Sequence, residues 1–267
     1  MMRLWFPAAI FVLWFVLALF GPLFSLSPDH IELSRILLPP DANEWFGYDD
    51  LGRSLWDRLI VGAQTSFIVS MAVVAISILI GVTIGSFSAF VGGWFDHLIV
   101  RIIDIFLAFP GILLAIALAG LMGPGIDNVV IALCVVGWVG FARLSRAQVM
   151  TLKNRDHVQA AIALGASRSR IIFKHLVPLI AAPLIVEATF AIASVVIAEA
   201  GLSFLGLGIQ PPTPSWGSMI RDGTRYMLVA PHMVLVPGIA LMLVVLSVNL
   251  LGDRLRDWLD VRSRDRK

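Results

Sequence analysis

Long apolar runs separated by short polar segments dominate the pattern of this chain. A helix that crosses a bilayer needs about 20 predominantly apolar residues, because it rises only about 1.5 Å per residue. We predict six such helices, at residues 4–24, 67–91, 105–126, 128–142, 179–201 and 226–252. The chain is therefore expected to be an all-α integral membrane protein with about six transmembrane helices.

Two of these runs are irregular. The fourth is shorter than a spanning helix needs, so we expect it to extend either back over the preceding glycines or forward past Arg143 and Arg146. In the forward extension the long side chains of these arginines would reach the lipid headgroups. The third run is predicted as a single span that is interrupted at Pro110 and Gly111.

Glycines mark two further features of the pattern. Gly81 and Gly85 lie four residues apart in the second run, a spacing that lets two helices approach closely. Gly206 and Gly208, with three prolines after them, are expected to end the helix of the fifth run. Trp216 follows this break and is predicted to anchor the chain at the membrane interface.

A polar segment separates the first two spans, at residues 27–65. Within it Leu51, Leu55 and Leu59 recur every four residues. This spacing predicts a short amphipathic helix that lies at the membrane interface and leads into the second span. The first run begins after a basic residue, as in a signal peptide, but it is long, and we predict a retained first helix.

The segment 157–178, HVQAAIALGASRSRIIFKHLVP, is polar at its edges and lies between two apolar runs. We call it the polar loop. Residues 159–164 favour a helix, and Gly165, Ala166 and Ser167 are expected to end it and start a second one. The second helix carries three basic residues, Arg168, Arg170 and Lys174. Two short helices with small residues at their elbow form a compact projection, which is typical of a docking element.

Composition and charge limit the classes of function. The chain is 58% hydrophobic and 14% charged, with a mean hydropathy of +0.90, whereas soluble domains carry about 25% charged residues. A net charge of +2 gives no reason to expect a nucleic-acid partner. The single cysteine, Cys134, is predicted to pack as a small hydrophobic residue. Zinc-binding spacings, nucleotide-binding Gly-Lys loops and nucleophile elbows are missing from the sequence, so we predict no catalytic, cofactor or metal site.

The basic residues are distributed unevenly in the six-span arrangement. Fifteen of the 20 Lys and Arg residues fall on the side that holds both termini and the polar loop, and five fall on the other side. Cytoplasmic segments carry the excess of Lys and Arg in membrane proteins. Both termini and the polar loop are therefore predicted to be cytoplasmic.

Four charged residues lie within or beside predicted spans. Glu199 is deep in the fifth span, where a charged group is a functional candidate. It either faces a pathway or accepts hydrogen bonds from the unwound backbone at 201–208, and we hypothesise that it supports a gate together with the following glycines, Gly206 and Gly208. Glu187 is expected to lie near the cytoplasmic end of the same span. Arg101 and Asp104 are expected to form a local ion pair.

The polar loop resembles the EAA loop of ABC-transporter permeases, in which Glu-Ala-Ala is followed by a glycine and later a proline. The matching residues are Gln159, Ala160, Ala161, Gly165 and Pro178, with Gln159 in place of the glutamate. Four further stretches resemble the dipeptide/oligopeptide/nickel branch of these permeases: FGYDDLGRSLWDRLIVGAQTS at 46–66, DIFLAFPGILLA at 104–115, LSFLGLGIQPPTPSWGSMI at 202–220 and NLLGDRLRDWLD at 249–260.

This resemblance implies a type I ABC importer permease fold in a bacterial inner membrane. The expected partners are a second, homologous permease, two ATPase subunits that bind ATP and Mg, and an extracytoplasmic solute-binding protein. The ATPases would dock on the loop through Gln159, Ala160, Ala161, Gly165, Ala166, Ser167 and Pro178. The implied organisation is an N-terminal span at 1–26, an extracytoplasmic segment at 27–65, a permease core at 66–252 with an EAA-type loop at 143–178, and a basic tail at 253–267.

The expected function is a permease subunit that forms half of a translocation pathway for di- or oligopeptides. Nickel or another small solute is the alternative within the same branch, since selectivity would reside largely in the binding protein. A stand-alone secondary transporter is the alternative from another class. In such a transporter we would expect inverted repeats and ionisable residues near the bilayer midplane. The sequence has no evident repeat, and Glu199 is its one plausible relay.

Overall fold

A computed structural model describes residues 2–42 and 44–259 of the chain, and helices account for most of them. The α-helices in these ranges are α1 Met2–Phe20, α2 Leu55–Val91, α3 Gly93–Ala108, α4 Gly111–Met122, α5 Ile126–Leu152, α6 Asp156–Ala163, α7 Arg168–Ile171, α8 Ala181–Phe204, α9 Trp216–Thr224 and α10 His232–Leu259. The β-type pairing of the described residues is one isolated bridge between Tyr48 and Ser54. The prediction of an all-α protein is confirmed.

Four helical segments are long and apolar enough to cross a membrane: α2, α5, the continuous run Arg168–Phe204 and α10. The pair α3 and α4 makes a fifth candidate when counted as one broken span, since the two are bent by 86°. The apolar part of α1, Trp5–Phe20, is shorter than these. The count of six spans stays a prediction.

The predicted interruption at Pro110 and Gly111 is present in the third span, but the predicted start of this span at residue 105 is wrong. The helix α3 already begins at Gly93, and Phe109 ends it in an extended conformation with ψ of 140°. The residue before a proline avoids the helical region because the proline ring clashes with it. Pro110 then caps the new helix α4, which leaves at a steep angle.

The helix α2 begins at Leu55, where Ser54 accepts a hydrogen bond from the Asp57 backbone, and it continues without interruption to Val91. The short interfacial helix predicted around Leu51, Leu55 and Leu59 is therefore wrong. Leu55 is buried and belongs to the first turn of α2, whereas Leu51 lies in the turn before it. The helix continues because no proline interrupts it between the leucines and the apolar run.

The helices α2 and α5 pack closely at the centre of the protein. A Cβ atom at Gly81 would lie 2.4 Å from the Trp138 carbonyl oxygen, and one at Gly85 would lie 2.2 Å from the Ala142 carbonyl oxygen. Only glycine permits this backbone approach, which confirms the close contact predicted from the spacing. Cys134 is buried on α5, as expected.

One helix end follows a predicted alternative, and two others differ from their predicted positions. The helix α5 takes the forward one of the two predicted extensions, since it runs past Arg146 to Leu152. The fifth run is helical from Arg168 to Phe204, well before its predicted start at 179. The helix α10 reaches Leu259, so the first part of the predicted tail at 253–267 is helical. The basic residues Arg262, Arg264, Arg266 and Lys267 of that tail lie outside the described residues.

Trp216 is buried, so its predicted role as an interfacial anchor is wrong. Its side chain is 2% exposed, and its Nε1 donates a hydrogen bond to the Leu59 carbonyl oxygen at 3.1 Å. The indole packs against Trp14 of α1, and a Cβ atom at Gly62 of α2 would lie 2.9 Å from it. The helix α9 is thereby held by α2, α8 and α10, and by Trp14 of α1, rather than at a lipid surface.

Candidate functional site

The polar loop forms the predicted helix, elbow and second helix. The helix α6 ends at Ala163, and Gly165 turns the chain with φ of +78°. Ser167 then caps α7, because its hydroxyl accepts a hydrogen bond from the Arg170 backbone. The second helix is not a separate short one as predicted, since π and 3-10 turns join it to α8. Pro178 lies in the 3-10 turn.

One face of the polar loop is built into the protein core. Val158, Ile172 and Leu176 are fully buried, in a cluster that contains Phe141 and Val149 of α5. Residues of α2 complete this cluster. The loop is therefore a rigid projection whose position follows that of α2 and α5.

The opposite face of the loop is exposed and carries an apolar tip. Leu164 is 88% exposed and Ile162 is 44% exposed, beside exposed Gln159, Ala160 and Gly165. Leu164 and Ile162 were not among the predicted docking residues, although two apolar residues beside a glycine elbow were visible in the sequence. Leu164 and Ile162 together form an exposed apolar tip on a rigid projection, which makes this tip a candidate contact with another protein.

The predicted docking residues divide between the two faces. Ala161 is 9% exposed and faces the core, so it lies beneath the surface on which docking was predicted. Ala166 is half-buried, whereas Ser167 and Pro178 are exposed. The basic side chains around them are also exposed, at Arg155, Arg168, Arg170 and Lys174. The outer face thus combines an apolar tip with a positive margin.

Gln159 has a specific role in holding the loop. Its Nε2 donates a hydrogen bond to the Lys153 carbonyl oxygen at 3.1 Å, at the end of α5. Lys153 Nζ in turn donates to the Ala89 carbonyl oxygen at 2.8 Å, near the end of α2. The last carbonyls of a helix have no partner within it, so this lysine satisfies one of them. A carboxylate at position 159 could not donate the first of these bonds.

Glu199 lies at the other end of the run Arg168–Phe204 and is 1% exposed. Its Oε2 accepts a hydrogen bond from Ser66 Oγ at 3.0 Å, and its Oε1 accepts one from Ser203 Oγ at 2.8 Å. Ser203 Oγ also accepts from the Ile209 backbone nitrogen at 3.3 Å. Glu199 therefore reaches the unwound backbone through a serine, not directly, and in this chain it is closed off from any open pathway.

The turn after α8 depends on its glycines. Gly206 has φ of +82°, and a Cβ atom at Gly208 would lie 2.0 Å from Ser203 Oγ. The Gly208 carbonyl oxygen accepts a hydrogen bond from the Gly125 backbone nitrogen at 3.1 Å, in the turn between α4 and α5. Glu199 and Gly208 thus belong to one buried cluster, which joins α2, α8 and the turn at Gly125, and half-buried Gly206 lies in the turn beside it.

A second buried polar cluster lies at the start of α2. Asp49 is 3% exposed and forms ion pairs with Arg53 at 2.7 Å and with Arg58 at 3.4 Å. Its other oxygen accepts hydrogen bonds from the backbone of Leu51 and Arg53. Among residues 2–42 and 44–259, no group of three His, Cys, Asp or Glu side chains is arranged as metal ligands would be. This cluster holds the turn that begins α2.

The charged residues of the third span pair differently from the prediction. The expected ion pair of Arg101 with Asp104 is wrong, since both side chains are exposed and do not pair. The acidic residue that pairs at this end is Asp96, whose partner is Arg146 of α5. The sequence did not indicate it, because the two lie 50 positions apart. Glu187 is half-buried and faces Gly140 of α5.

Comparison with known proteins identifies a family and several relatives that this chain resembles. Residues 81–265 match the family described as "Binding-protein-dependent transport system inner membrane component". The chain is 42% identical over 250 residues to "Dipeptide transport system permease protein DppC" of Alkalihalophilus pseudofirmus, covering 93% of this chain and 82% of that protein. It is 41% identical over 260 residues to "Glutathione transport system permease protein GsiD" of Escherichia coli, covering 96% of this chain and 86% of that protein.

The fold is also similar to a solved structure. The inward-facing MetNI methionine ABC transporter aligns with a TM-score of 0.60, covering 76% of this chain and 96% of that chain. At 18% sequence identity this likeness bears on the fold alone, and it confirms the expected ABC importer permease architecture. The family match and the relatives confirm the resemblance found in the polar loop and the four other stretches. This multi-pass protein therefore belongs to the family of binding-protein-dependent transport system inner membrane components.

Proposed function

We propose that this chain is one permease subunit of an ATP-driven importer that carries short peptides across the inner membrane. The names of its relatives support peptides, since one is a dipeptide permease and the other a permease for glutathione, which is a tripeptide. Neither of these names points to nickel ions, the alternative within the same branch. A stand-alone secondary transporter would not need the exposed projection that the polar loop forms.

The main support for this proposal is the structure of the polar loop. Its inner face is fixed in the core through Val158, Ile172 and Leu176, while its outer face exposes Leu164. An element of this kind transmits a movement of a docked partner into the helices behind it as a rigid body. We assign ATP and Mg binding to two ATPase subunits docked there, on the cytoplasmic side where the excess of basic residues lies.

The run Arg168–Phe204 connects this docking face to the buried cluster around Glu199. Its 37 residues span about 55 Å at the rise of an α-helix. A movement of the polar loop therefore reaches the turn at Gly206 and Gly208 through one continuous helical element. In the proposed importer this turn belongs to the gate, a second homologous permease completes the pathway, and a solute-binding protein delivers the peptide.

Co-purification of the complex tests the docking assignment. In the experiment the chain is expressed with its partner subunits, and Leu164→Arg is compared with wild type and with Leu228→Arg. Leu228 is 100% exposed in the turn before α10, so it receives the same change away from the loop. We expect Leu164→Arg to keep the second permease and lose the ATPases, while Leu228→Arg keeps both.

Two results would contradict the proposed function. One is a wild-type chain that purifies without ATPases and still moves solute along a gradient. The other is uptake of Ni²⁺, but not of dialanine or glutathione, by the reconstituted complex with its binding protein. Retention of the ATPases by Leu164→Arg would contradict only the docking surface.

A further inference from the structure

The helix α3 lies between two breaks in the chain. At its start Gly92 and Gly93 have φ of +69° and +64°, and a Cβ atom at either would meet no other atom within 4 Å. At its end the chain bends by 86° into α4 at Pro110. The connection at Gly92 and Gly93 is not packed against the rest of the protein, so side-chain contacts are needed to hold the direction of α3.

The apolar contacts of α3 form a narrow strip. Ile99 and Ile103 are buried against Val139 and Ala142 of α5. Ile102 and Phe106 are half-buried beside them, and most of the other large apolar side chains of α3 are exposed, with Trp94 at 77%. A helix that packs along a single narrow strip can roll or lift about that strip, because apolar contact has no preferred direction. A directional contact is needed to fix its orientation.

Asp96 provides such a contact in the first turn of α3. Its carboxylate accepts two hydrogen bonds from Arg146, from Nε to Oδ1 and from Nη2 to Oδ2, both at 2.7 Å. Ser88 Oγ of α2 donates a third hydrogen bond to Oδ1 at 2.6 Å. Asp96 is 8% exposed. Bidentate pairs of arginine and carboxylate fix geometry as well as adding energy, so this contact sets the orientation of α3 relative to α5 and α2.

The same contacts continue to the polar loop. Ser88 is followed by Ala89, whose carbonyl oxygen accepts the hydrogen bond from Lys153 at the end of α5. The Lys153 carbonyl oxygen accepts the hydrogen bond from Gln159 of the loop. Arg146 lies on α5, the helix that leads directly into this segment. A line of polar contacts thus runs from α6 through the ends of α5 and α2 to α3.

We propose that Asp96 and Arg146 are a positioning pair that makes α3 follow the polar loop when the ATPases move it. The proposal rests on the importer function proposed above and adds a second route from the loop into the membrane domain. The first route is the run Arg168–Phe204, and the second passes through α5 to α3 and α4. Neither residue needs to contact the substrate for this role. Their role is to keep α3 and the loop in one mechanical unit.

The assembled importer in lipid nanodiscs, with its partner permease, ATPases and binding protein, tests the pair. Uptake of radiolabelled dialanine and glutathione is measured together with ATP hydrolysis for wild type, Asp96→Asn and Asp104→Asn. Asp104 is an exposed aspartate on the same helix, whose charge acts on Arg146 without pairing with it. We expect Asp96→Asn to lower the number of peptides carried per ATP by about fivefold or more. We expect Asp104→Asn to leave this ratio unchanged.

A second measurement follows the position of α3 itself. In a Cys134→Ala background, Ile103→Cys places a single thiol under α3, and its rate of reaction with N-ethylmaleimide reports access to the strip. We expect Asp96→Asn to raise this rate by about fivefold or more, because α3 lifts more often. The charge exchange Asp96→Arg with Arg146→Asp should restore most of the labelling protection and of the transport ratio.

The outcomes distinguish a failure of the proposed Asp96–Arg146 pair from a failure of the importer function. A transport ratio in Asp96→Asn equal to that of wild type would overturn the proposal, and so would an unchanged labelling rate. Uptake and hydrolysis that fall together at a constant ratio would overturn it as well, since they would mark the pair as a stability contact. Absence of ATP-coupled uptake in wild type would refute the importer function instead. The labelling rate needs no ATPase and would still decide whether the pair holds α3.

Discussion

Replacement of Glu199 with leucine removes both hydrogen bonds that its carboxyl group accepts inside the helix bundle. One of them comes from Ser66 of α2 at 3.0 Å, and the other from Ser203 at 2.8 Å. The two serines are 1% and 0% exposed. Water therefore could not replace the carboxyl group as the acceptor for their hydroxyls. The first bond joins two helices, and the second orients the serine that holds the Ile209 backbone.

The magnitude follows from these two bonds. A side-chain hydrogen bond inside a membrane-embedded bundle contributes about 0.6 kcal/mol on average and about 1.7 kcal/mol at most. Glu199→Leu is therefore expected to lower the free energy of unfolding by about 1–3 kcal/mol. Because a change of about 1 kcal/mol is about a factor of five in an equilibrium, peptide uptake should fall at least fivefold if the gate depends on this cluster.

Unfolding by sodium dodecyl sulfate in mixed micelles measures the first effect, and uptake by the reconstituted importer measures the second. Glu187→Leu is the matched control, since it makes the same change on the same helix at a half-buried position. A double-mutant cycle with Ser66→Ala isolates the contact between helices, for which we expect a coupling of about 0.6–1.7 kcal/mol. A coupling near zero, or uptake by Glu199→Leu at the wild-type rate, would refute the reasoning.

Two further predictions concern the turn after α8 and the start of α2. Gly208→Ala places a Cβ atom 2.0 Å from Ser203 Oγ. This change should lower the free energy of unfolding by about 1–3 kcal/mol and abolish most peptide uptake. Gly238→Ala is the control, since its Cβ atom meets open space, and it should change neither the unfolding free energy nor the uptake. Asp49→Ala leaves two buried arginines without their main partner and should destabilise the protein by about 3–5 kcal/mol in the same unfolding assay. The exposed partner Asp29 lies 3.9 Å from its arginine, so Asp29→Ala should cost less than about 1 kcal/mol, and equal effects of the two aspartate changes would contradict this assignment.

The sequence alone determined the features that depend on neighbouring residues. Apolar runs of spanning length predicted the long helices, because a chain in hydrocarbon must satisfy its backbone hydrogen bonds within each helix. Gly165 and Ser167 predicted the elbow of the polar loop, since a positive φ and a helix cap are properties of single residues. The spacing of Gly81 and Gly85 predicted a close helix contact, although it did not name the partner helix.

Features that depend on distant residues were decided only by the tertiary structure. Trp216 is as amphipathic in the sequence as any interfacial tryptophan, but α1 and α2 cover it. Ala161 looks equivalent to Ala160, yet one faces the core and the other solvent, because one face of α6 packs into the apolar cluster that also contains residues of α2, α5 and α8. The direction of α4 after Pro110 likewise follows from packing, since a proline interrupts a helix without specifying the angle of the next one.

The buried polar pairs show most clearly that the sequence does not reveal which distant residues meet. Glu199 meets Ser66 across 133 positions, and Asp96 meets Arg146 across 50. In each case the sequence shows a polar residue that is costly to bury but not the group that satisfies it. The partner is set by which helices lie side by side and by their rotation, and both are consequences of the packing of many apolar side chains at once.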